Sequence, residues 1–375
     1  MEQDKNYPIA IVTGSGGLIG SQAVKFLHDK GFKVVGIDND MRSYFFGKDA
    51  STVPNNKALI RDYPRYESRD IDIRSYIDLQ NLFAHYGDKI EIIVHTAAQP
   101  SHDWAANEPL TDFSINATGT VNLLECTRLS CPKATFIFTS TNKVYGDTPN
   151  RLPLQELDTR YEYFESKIFP GSVDEDMSID QCKHSVFGAS KVAADIMCQE
   201  YARYWDMNIG IFRGGCLTGP DHAGAELHGF LSYLIKCMVT GKPYTIFGYK
   251  GKQVRDNIHS WDLVNMFWHY HQNPKPGAVY NAGGGRNNST SILEAIVKVN
   301  NLQIEDNLQP WDNYTISDQA RIGDHQWYIS DLSKFKKDYP EWDITISLDE
   351  TIKQIYDAEK KKVHDRSNTV LESRN

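Results

Sequence analysis

Thr13-Gly14-Ser15-Gly16-Gly17-Leu18-Ile19-Gly20 lies between the apolar run Ile9-Ala10-Ile11-Val12 and a helical pattern set by Ala23, Val24, Phe26 and Leu27. No other stretch constrains the fold as strongly. It reads as a buried strand, a glycine turn and an amphipathic helix. Missing Cβ atoms at Gly14, Gly17 and Gly20 let backbone amides approach a pyrophosphate at the positive end of the helix. Lys33 to Ile37 supplies a second apolar strand, completing a β-α-β unit, and Asp38 stands at its carboxyl end. That is close to the spacing of about 20 residues at which a carboxylate accepts hydrogen bonds from a ribose diol. The same carboxylate repels a 2′-phosphate, and although Arg42 is nearby, Asn39-Asp40 adds no basic clamp. The unit therefore selects NAD over NADP. Its expected cofactor contacts are Gly14, Gly16, Gly17, Leu18, Ile19, Gly20, Asp38 and Asn39.

Strands and helices continue to alternate: strand Ile90 to His95, helix Ile115 to Ser130, strand Thr135 to Ser140, helix Gly188 to Trp205, strand Ile209 to Phe212. Such alternation predicts an α/β fold, a Rossmann-type doubly wound parallel sheet covered on both faces. At roughly 150 residues per domain, the chain divides into a large domain and a smaller lobe. The expected boundaries are 1–214 for the NAD-binding domain, with a strand and helix returning at about 254–285. Residues 215–253 and 286–358 form a C-terminal α/β substrate lobe; after Gly214, helices are expected near 227–240 and 291–300 and short strands near 244–248 and 278–281. The charged tail 359–375, almost without apolar anchors, is expected to fray. Met41 to Arg69 reads as a loop-rich insertion. After it, Asp72 and Ile73 end another strand and are placed to bracket an adenine. Arg151 to Lys183 is also irregular, the kind of segment that serves as a lid or binding loop.

Composition excludes several functions. Forty basic residues against 49 acidic ones give a net charge of −9, which argues against gripping a nucleic-acid backbone. No stretch approaches the roughly 18 apolar residues of a membrane span, and Met1 to Pro8 lacks an export pattern, so a cytoplasmic protein is expected. Cys126, Cys131, Cys182, Cys198, Cys216 and Cys237 are scattered, without zinc spacing, and read as reduced, packed thiols; no metal is expected.

Taken with the glycine turn, further motifs make the chain resemble the extended short-chain dehydrogenase/reductase superfamily of nucleotide-sugar epimerases and dehydratases. They are His95-Thr96-Ala97-Ala98-Gln99, Asn116 within Ile-Asn-Ala-Thr-Gly-Thr, Thr139-Ser140-Thr141-Asn142-Lys143-Val144-Tyr145-Gly146, and Arg255-Asp256-Asn257-Ile258-His259. The resemblance runs over roughly residues 8 to 355. Within the superfamily the chain looks most like the CDP-paratose 2-epimerases. It shares with them Ser-Thr-Asn-Lys-Val-Tyr-Gly-Asp at 140–147, Arg160-Tyr161, His184-Ser185 before Phe-Gly-Ala-Ser-Lys, and Gly251-Lys252-Gln253-Val254-Arg255-Asp256. The resemblance implies tightly held NAD and a redox-neutral cycle, in which a sugar carbinol, C2 in the paratose enzymes, is oxidised and then re-reduced on its other face. It adds Ala97, Gln99, Asn116, Thr139 and Lys191 to the cofactor contacts, and gives Thr141, Asn142, His184, Arg255 and Arg321 to a nucleotide-sugar substrate. It also implies a homodimer through the helices at 115–130 and 188–205.

The sequence departs from the family at Phe187. In the superfamily a tyrosine four residues before the lysine removes the hydroxyl proton, helped by that lysine and by a Ser or Thr. Lys191 and Thr141 hold the latter two places, but a phenyl ring transfers no proton. The motif around Phe187 is intact, which favours a recent or deliberate Tyr→Phe change over an ancient loss and implies a slow or inactive chain that still binds ligands. A dehydratase presents an Asp-Glu pair after this threonine; here Asn142-Lys143 stands instead, disfavouring dehydration. A 4-epimerase needs only the Tyr/Lys/Thr set and stays open, as does a non-catalytic binding module. Structural alternatives also remain: ion pairs of Arg255 with Asp256 and of Arg321 with Asp324, a backbone hydrogen bond for His184, and a salt-bridge role for Arg213.

Overall fold

Seven parallel strands form the central sheet of the computed structural model, which describes residues 7–164, 171–222, 224, 229–320 and 323–372, with backbone alone given for 366–372. Strands β1 (Ile9–Thr13), β2 (Lys33–Ile37), β3 (Tyr66–Arg69), β4 (Ile90–His95) and β5 (Thr135–Thr141) are joined by helices on both faces. These are α1 (Leu18–Asp29), α2 (Met41–Phe46), α3 (Val53–Asp62), α4 (Tyr76–Tyr86), α5 (His102–Asn107), α6 (Pro109–Phe113) and α7 (Gly119–Ser130). An antiparallel ribbon, β6 (Leu154–Glu156) and β7 (Tyr161–Tyr163), precedes α8 (Ser185–Trp205), β8 (Ile209–Gly214) and β9 (Cys216–Thr218). The remaining helices are α9 (Phe230–Thr240), α10 (Ser260–Gln272), α11 (Ile292–Glu305), α12 (Ser333–Asp338) and α13 (Leu348–Glu372). They alternate with β10 (Tyr244–Phe247), β11 (Val254–His259), β12 (Val279–Ala282), β13 (Ser289–Ser291), β14 (Tyr314–Ser317) and β15 (Trp327–Tyr328).

The sheet order is β12-β8-β5-β4-β1-β2-β3, so the chain reverses direction across the sheet between β1 and β4. Every residue of β1 is buried because the strand is covered twice. Ile9 and Ile11 pack into one core with α4, α7 and α8, while Ala10 and Val12 join the opposite core with α1 and α10. Register brings Thr13, Ile37 and His95 to one level and pairs Thr141 with Gly214, which aligns the carboxyl ends as a shelf. Sheets of this kind bind ligands at that edge, beside the reversal. A separate apolar core unites α9, α11 and α13 with β10. The chain returns to the main sheet through β12, while β11 leads a second small sheet with β9, β13 and β15.

Several expectations need correction. Met41 to Arg69 is not loop-rich: it holds α2, α3 and the edge strand β3. Its periodicity is weak because Leu59 is the one buried residue of α3 and Tyr66 that of β3. That strand ends at Arg69, so Asp72 and Ile73 lie beyond it in a turn closed by Ser75 N–H donating to Asp72 O at 2.9 Å. The helix expected from Ile115 starts at Pro109 and passes through a π-helical turn at Ser114–Thr118. The tail is not frayed from 359: α13 runs to Glu372, with Ile352, Ile355, Tyr356 and Glu359 buried and Lys360 Nζ 2.5 Å from Asp306 Oδ2. Lys361, Lys362, His364 and Asp365 lie exposed on that helix, and 373–375 lie outside the described residues. Among the described residues no helix is long and apolar enough to cross a membrane.

Candidate active site along the carboxyl edge of the sheet

A cleft of about 470 Å³ runs along this edge from the glycine turn, past Phe187 and Lys191, to Arg255 and Tyr244. At its first end Gly14 has φ +67°, and a Cβ there would lie 2.9 Å from the Ala97 nitrogen. A Cβ on Gly20 would lie 2.0 Å from Gly14 O, so this glycine lets α1 pack beneath the turn and does not line the cleft. Gly16, Gly17, Leu18, Ile19, Asn39, Asp72, Ile73 and Ala97 do line it. The Asp38 carboxylate accepts from Gly16 N at 2.8 Å, Asp40 N at 2.9 Å and Thr52 Oγ1 at 2.8 Å. Thr52 N donates to Asp40 at 2.7 Å, and the same hydroxyl, its single proton shared between them, lies 3.0 Å from Asp40, so two carboxylates crowd this corner. Arg42, with its guanidinium carbon 5.0 Å from the Phe46 ring centroid, is drawn down to about 10 by burial. A backbone-walled cradle beside two carboxylates fits the diphosphate and ribose of NAD and opposes a 2′-phosphate.

Gln99 and Asn116 support the cleft without lining it. Gln99 N donates to Asn116 Oδ1 at 3.0 Å, and Asn116 Nδ2 bridges Gln99 O, Asp112 Oδ1 and Ser190 Oγ at 2.9, 3.0 and 3.1 Å. This buried cluster ties the loop after β4 to the π turn and to α8. Burial raises the Asp112 carboxyl.

At the middle of the cleft Thr141 ends β5 and Phe187 faces it from the first turn of α8, buried and set edge-on to His102 with centroids 5.1 Å apart. One turn later Lys191 Nζ donates to Thr139 O at 2.7 Å and lies 4.3 Å from the Phe138 ring centroid. Burial pushes this lysine down to about 8. Beneath it, His95 Nδ1 lies 2.7 Å from Thr13 Oγ1 and Nε2 lies 3.0 Å from Thr120 Oγ1; burial and then Lys191 push its ring to about 3, leaving an uncharged floor. Thr139 faces backbone, donating to His95 O at 2.7 Å. Arg213 is a structural partner: it bonds both oxygens of the buried Asp195 at 3.1 Å, and Ser140 Oγ donates to that carboxylate at 2.6 Å.

At the far end Arg255 lines the cleft, but its partner is Asp324 and not Asp256, whose carboxylate instead accepts from Gly285 N and Ser330 N at 3.0 Å. Asp256 points away because β11 alternates its faces. Arg321 lies outside the described residues. His184 turns from the cleft: its Nε2 is 2.9 Å from Val144 O, and a loop histidine so engaged is not a lining residue. Asn142 lines the cleft beside Thr141. Sequence reasoning missed Thr52, which holds Asp38, and Lys143, whose amine donates to Gly323 O at 3.0 Å. Thr52 gave no signal, whereas Lys143 was marked only as the residue standing where an acid pair was sought.

The family NAD dependent epimerase/dehydratase matches residues 10–283. The chain belongs to this NAD-dependent family. It is 29% identical to CDP-paratose 2-epimerase of Salmonella typhi, over 92% of this chain and 98% of that protein. It is 26% identical to dTDP-glucose 4,6-dehydratase of Haemophilus influenzae, over 90% and 89%. Among solved structures it is similar to a tyrosine-to-phenylalanine variant of UDP-glucuronic acid 4-epimerase from Bacillus cereus, in complex with UDP-4-deoxy-4-fluoro-glucuronic acid and NAD. The identity is 25%, the TM-score 0.74, and the match covers 94% of this chain and 99% of that one. The doubly wound fold and the NAD cofactor read from the glycine turn thus stand.

Proposed function

We propose that the chain is a nucleotide-sugar epimerase that inverts a sugar carbinol, C2 of a CDP-sugar, by oxidation and re-reduction, with turnover held down by Phe187. The carrying observation is the convergence of Thr141, Phe187 and Lys191 on one cleft whose other end meets Arg255. NAD, when bound, supplies the reversible oxidant. The remaining work falls to the chain's own residues. Thr141 and Asn142 orient the sugar hydroxyl, Lys191 holds the cofactor ribose, and Arg255 offers its planar fork to the substrate pyrophosphate. Asn142-Lys143 in place of an acid pair supports epimerisation over dehydration. A 4-epimerase is the second reading, favoured by the solved UDP-glucuronic acid 4-epimerase. Residues 1–214 and the return near 254–285 serve as the cofactor domain, and the rest to 358 as the substrate lobe. A cytoplasmic homodimer is part of the proposal, supported by Phe113, Leu129 and Tyr204, exposed on α6, α7 and α8.

Incubation with CDP-paratose, CDP-tyvelose and UDP-sugars, followed by proton NMR of the sugar, tests the reading. Inversion at C2 of a CDP-sugar is expected; inversion at C4 selects the second reading. Tight binding without product, persisting once a tyrosine replaces Phe187, would favour a binding module.

Asp38→Asn is expected to weaken NAD binding about tenfold or more, because a hydrogen bond to a charged group contributes about 1.5–3 kcal/mol. Isothermal titration with NAD and NADP checks this, and unchanged NAD affinity removes Asp38 from the ribose.

A further inference from the structure

We propose that Lys143 takes and returns the sugar hydroxyl proton in this chain, working where Phe187 cannot. The inference rests on the epimerase reading above and adds a catalytic residue to it.

The place is fixed by packing. Lys143 follows Thr141 by two residues, and its N–H donates to Thr141 Oγ1 at 3.2 Å. Its carbonyl lies 3.0 Å, and its Cβ 3.7 Å, from where a Cβ on Gly188 would stand, so it packs against the residue next to Phe187. The side chain is 15% exposed and lines the cleft. Gly323 O accepts from Nζ at 3.0 Å, and Asp324 Oδ1 stands off at 4.0 Å. The Gly323 that holds the amine abuts His102, whose Nδ1 lies 2.9 Å from where a Cβ on Gly323 would stand, and His102 packs edge-on to Phe187 at 5.1 Å, so the amine is held on the Phe187 side of the cleft.

Neighbouring groups are less suited. Lys191, drawn down equally to about 8, is the residue assigned above to the cofactor ribose, its Nζ held at 2.7 Å from Thr139 O beside the Phe138 ring. Burial pushes the Cys216 thiol up to about 12. Burial opposes the charge of Asp324, but Arg255 and then Lys143 outweigh it and hold the carboxyl low, which makes it a weak base. His102 Nδ1 is 2.7 Å from Ser185 Oγ. Burial draws the Lys143 amine down to about 8, against the pull of Asp324 and with the push of Arg255. A part of it is therefore unprotonated where a base must act. The groups facing it are Asp324 and His325 before β15, Arg255 on β11 and Cys216 on β9, with His102 on α5 acting on Asp324.

In the forward half, the carbinol O–H breaks and its proton goes to neutral Nζ, the carbinol hydrogen leaves with its bonding pair as the hydride that bound NAD would accept, and the C=O bond forms. In the return half, the hydride would come back to the opposite face of the ketone carbon while the ammonium gives its proton to the oxygen. Amine and cofactor end as they began.

The test is Lys143→Met and Lys143→Arg, each in the parent and in Phe187→Tyr. In the parent both are expected to lower epimerisation at least tenfold, with NAD and nucleotide-sugar affinities within about twofold. With the phenol restored the loss should shrink at least fivefold, because two routes then exist. The parent's kcat/KM should rise with pH to a plateau with a midpoint near 8. In parent holoenzyme labelled with ¹³C-lysine, a resonance titrating near 8 should disappear on Lys143→Met. Retained turnover in Lys143→Met, equal losses in both backgrounds, or a Lys143 midpoint at the ordinary lysine value each overturns the assignment. Activity confined to Phe187→Tyr sinks this proposal alone, whereas inactivity of both on every sugar sinks the epimerase reading.

Discussion

Phe187→Tyr is expected to raise turnover at least tenfold and to leave NAD affinity unchanged. The substitution adds one oxygen to a ring already positioned: Phe187 lines the cleft on the first turn of α8, four residues before Lys191 and beside Thr141 at the end of β5. Because the ring's packing against His102 is kept, the backbone has no reason to move. A phenol there gains an acid–base role supported by the Lys191 ammonium, whose charge favours phenolate. General acid–base catalysis contributes about 10²–10⁴-fold, and a competing amine route in the parent would reduce the observed gain toward the lower end. Steady-state rates of both forms on the same nucleotide sugar, with NAD affinity measured separately, decide the matter. Equal rates would refute the role given to this position.

Asp195→Ala is expected to destabilise the protein by about 3–5 kcal/mol, the usual cost of stranding one partner of a buried ion pair. Asp195 and Arg213 are both nearly inaccessible, and the carboxylate also accepts from Ser140 Oγ at 2.6 Å and Gln199 Nε2 at 2.7 Å. Arg213 reaches on to Tyr145 OH at 3.2 Å, and that hydroxyl donates to Asn281 at 2.8 Å. The network thus joins β5, α8, β8 and β12 directly below the cleft. Urea unfolding should show the midpoint falling with the slope constant. The double variant Asp195→Ala, Arg213→Ala should lose less than the sum of the single variants, since no charge is then left alone. A loss under about 1 kcal/mol in Asp195→Ala would show that water or another group replaces the carboxylate.

The first crossover was legible because each of its demands is local: an apolar run covered on both faces, glycines where backbone meets backbone, and an acid one residue past β2. Polar edges were harder to read. Strand β3 offers one buried residue, Tyr66, and α3 one, Leu59, so neither period 2 nor period 3.6 rises above the surrounding charge. The end of α13 misled for the opposite reason, because Lys360 and its neighbours look like a tail until Asp306 is brought beside them from α11's far end. Site residues held by their own neighbours, such as Thr141, were found. Partners brought from far along the chain were not: Arg255 was found, but paired with its neighbour Asp256. Arg255 meets Asp324, 69 positions later, and Lys143 meets Gly323, 180 positions later. No spacing rule connects them.

An α-helix advances about 100° per residue, so the one-residue-wider turn at Ser114–Thr118 offsets Gly119–Ser130 by about that angle from Pro109–Phe113. Asp112 and Asn116, four residues apart, point inward together, while Leu129 in the offset segment is exposed. The segment is accordingly sensitive to changed length as well as to changes at Asp112, Asn116 and Gly119, where a Cβ would lie 2.7 Å from Ile73. Removing a single residue would regularise the coil, swing Asp112 out of its cluster and rotate the outer apolar surface away from any neighbour built to meet it.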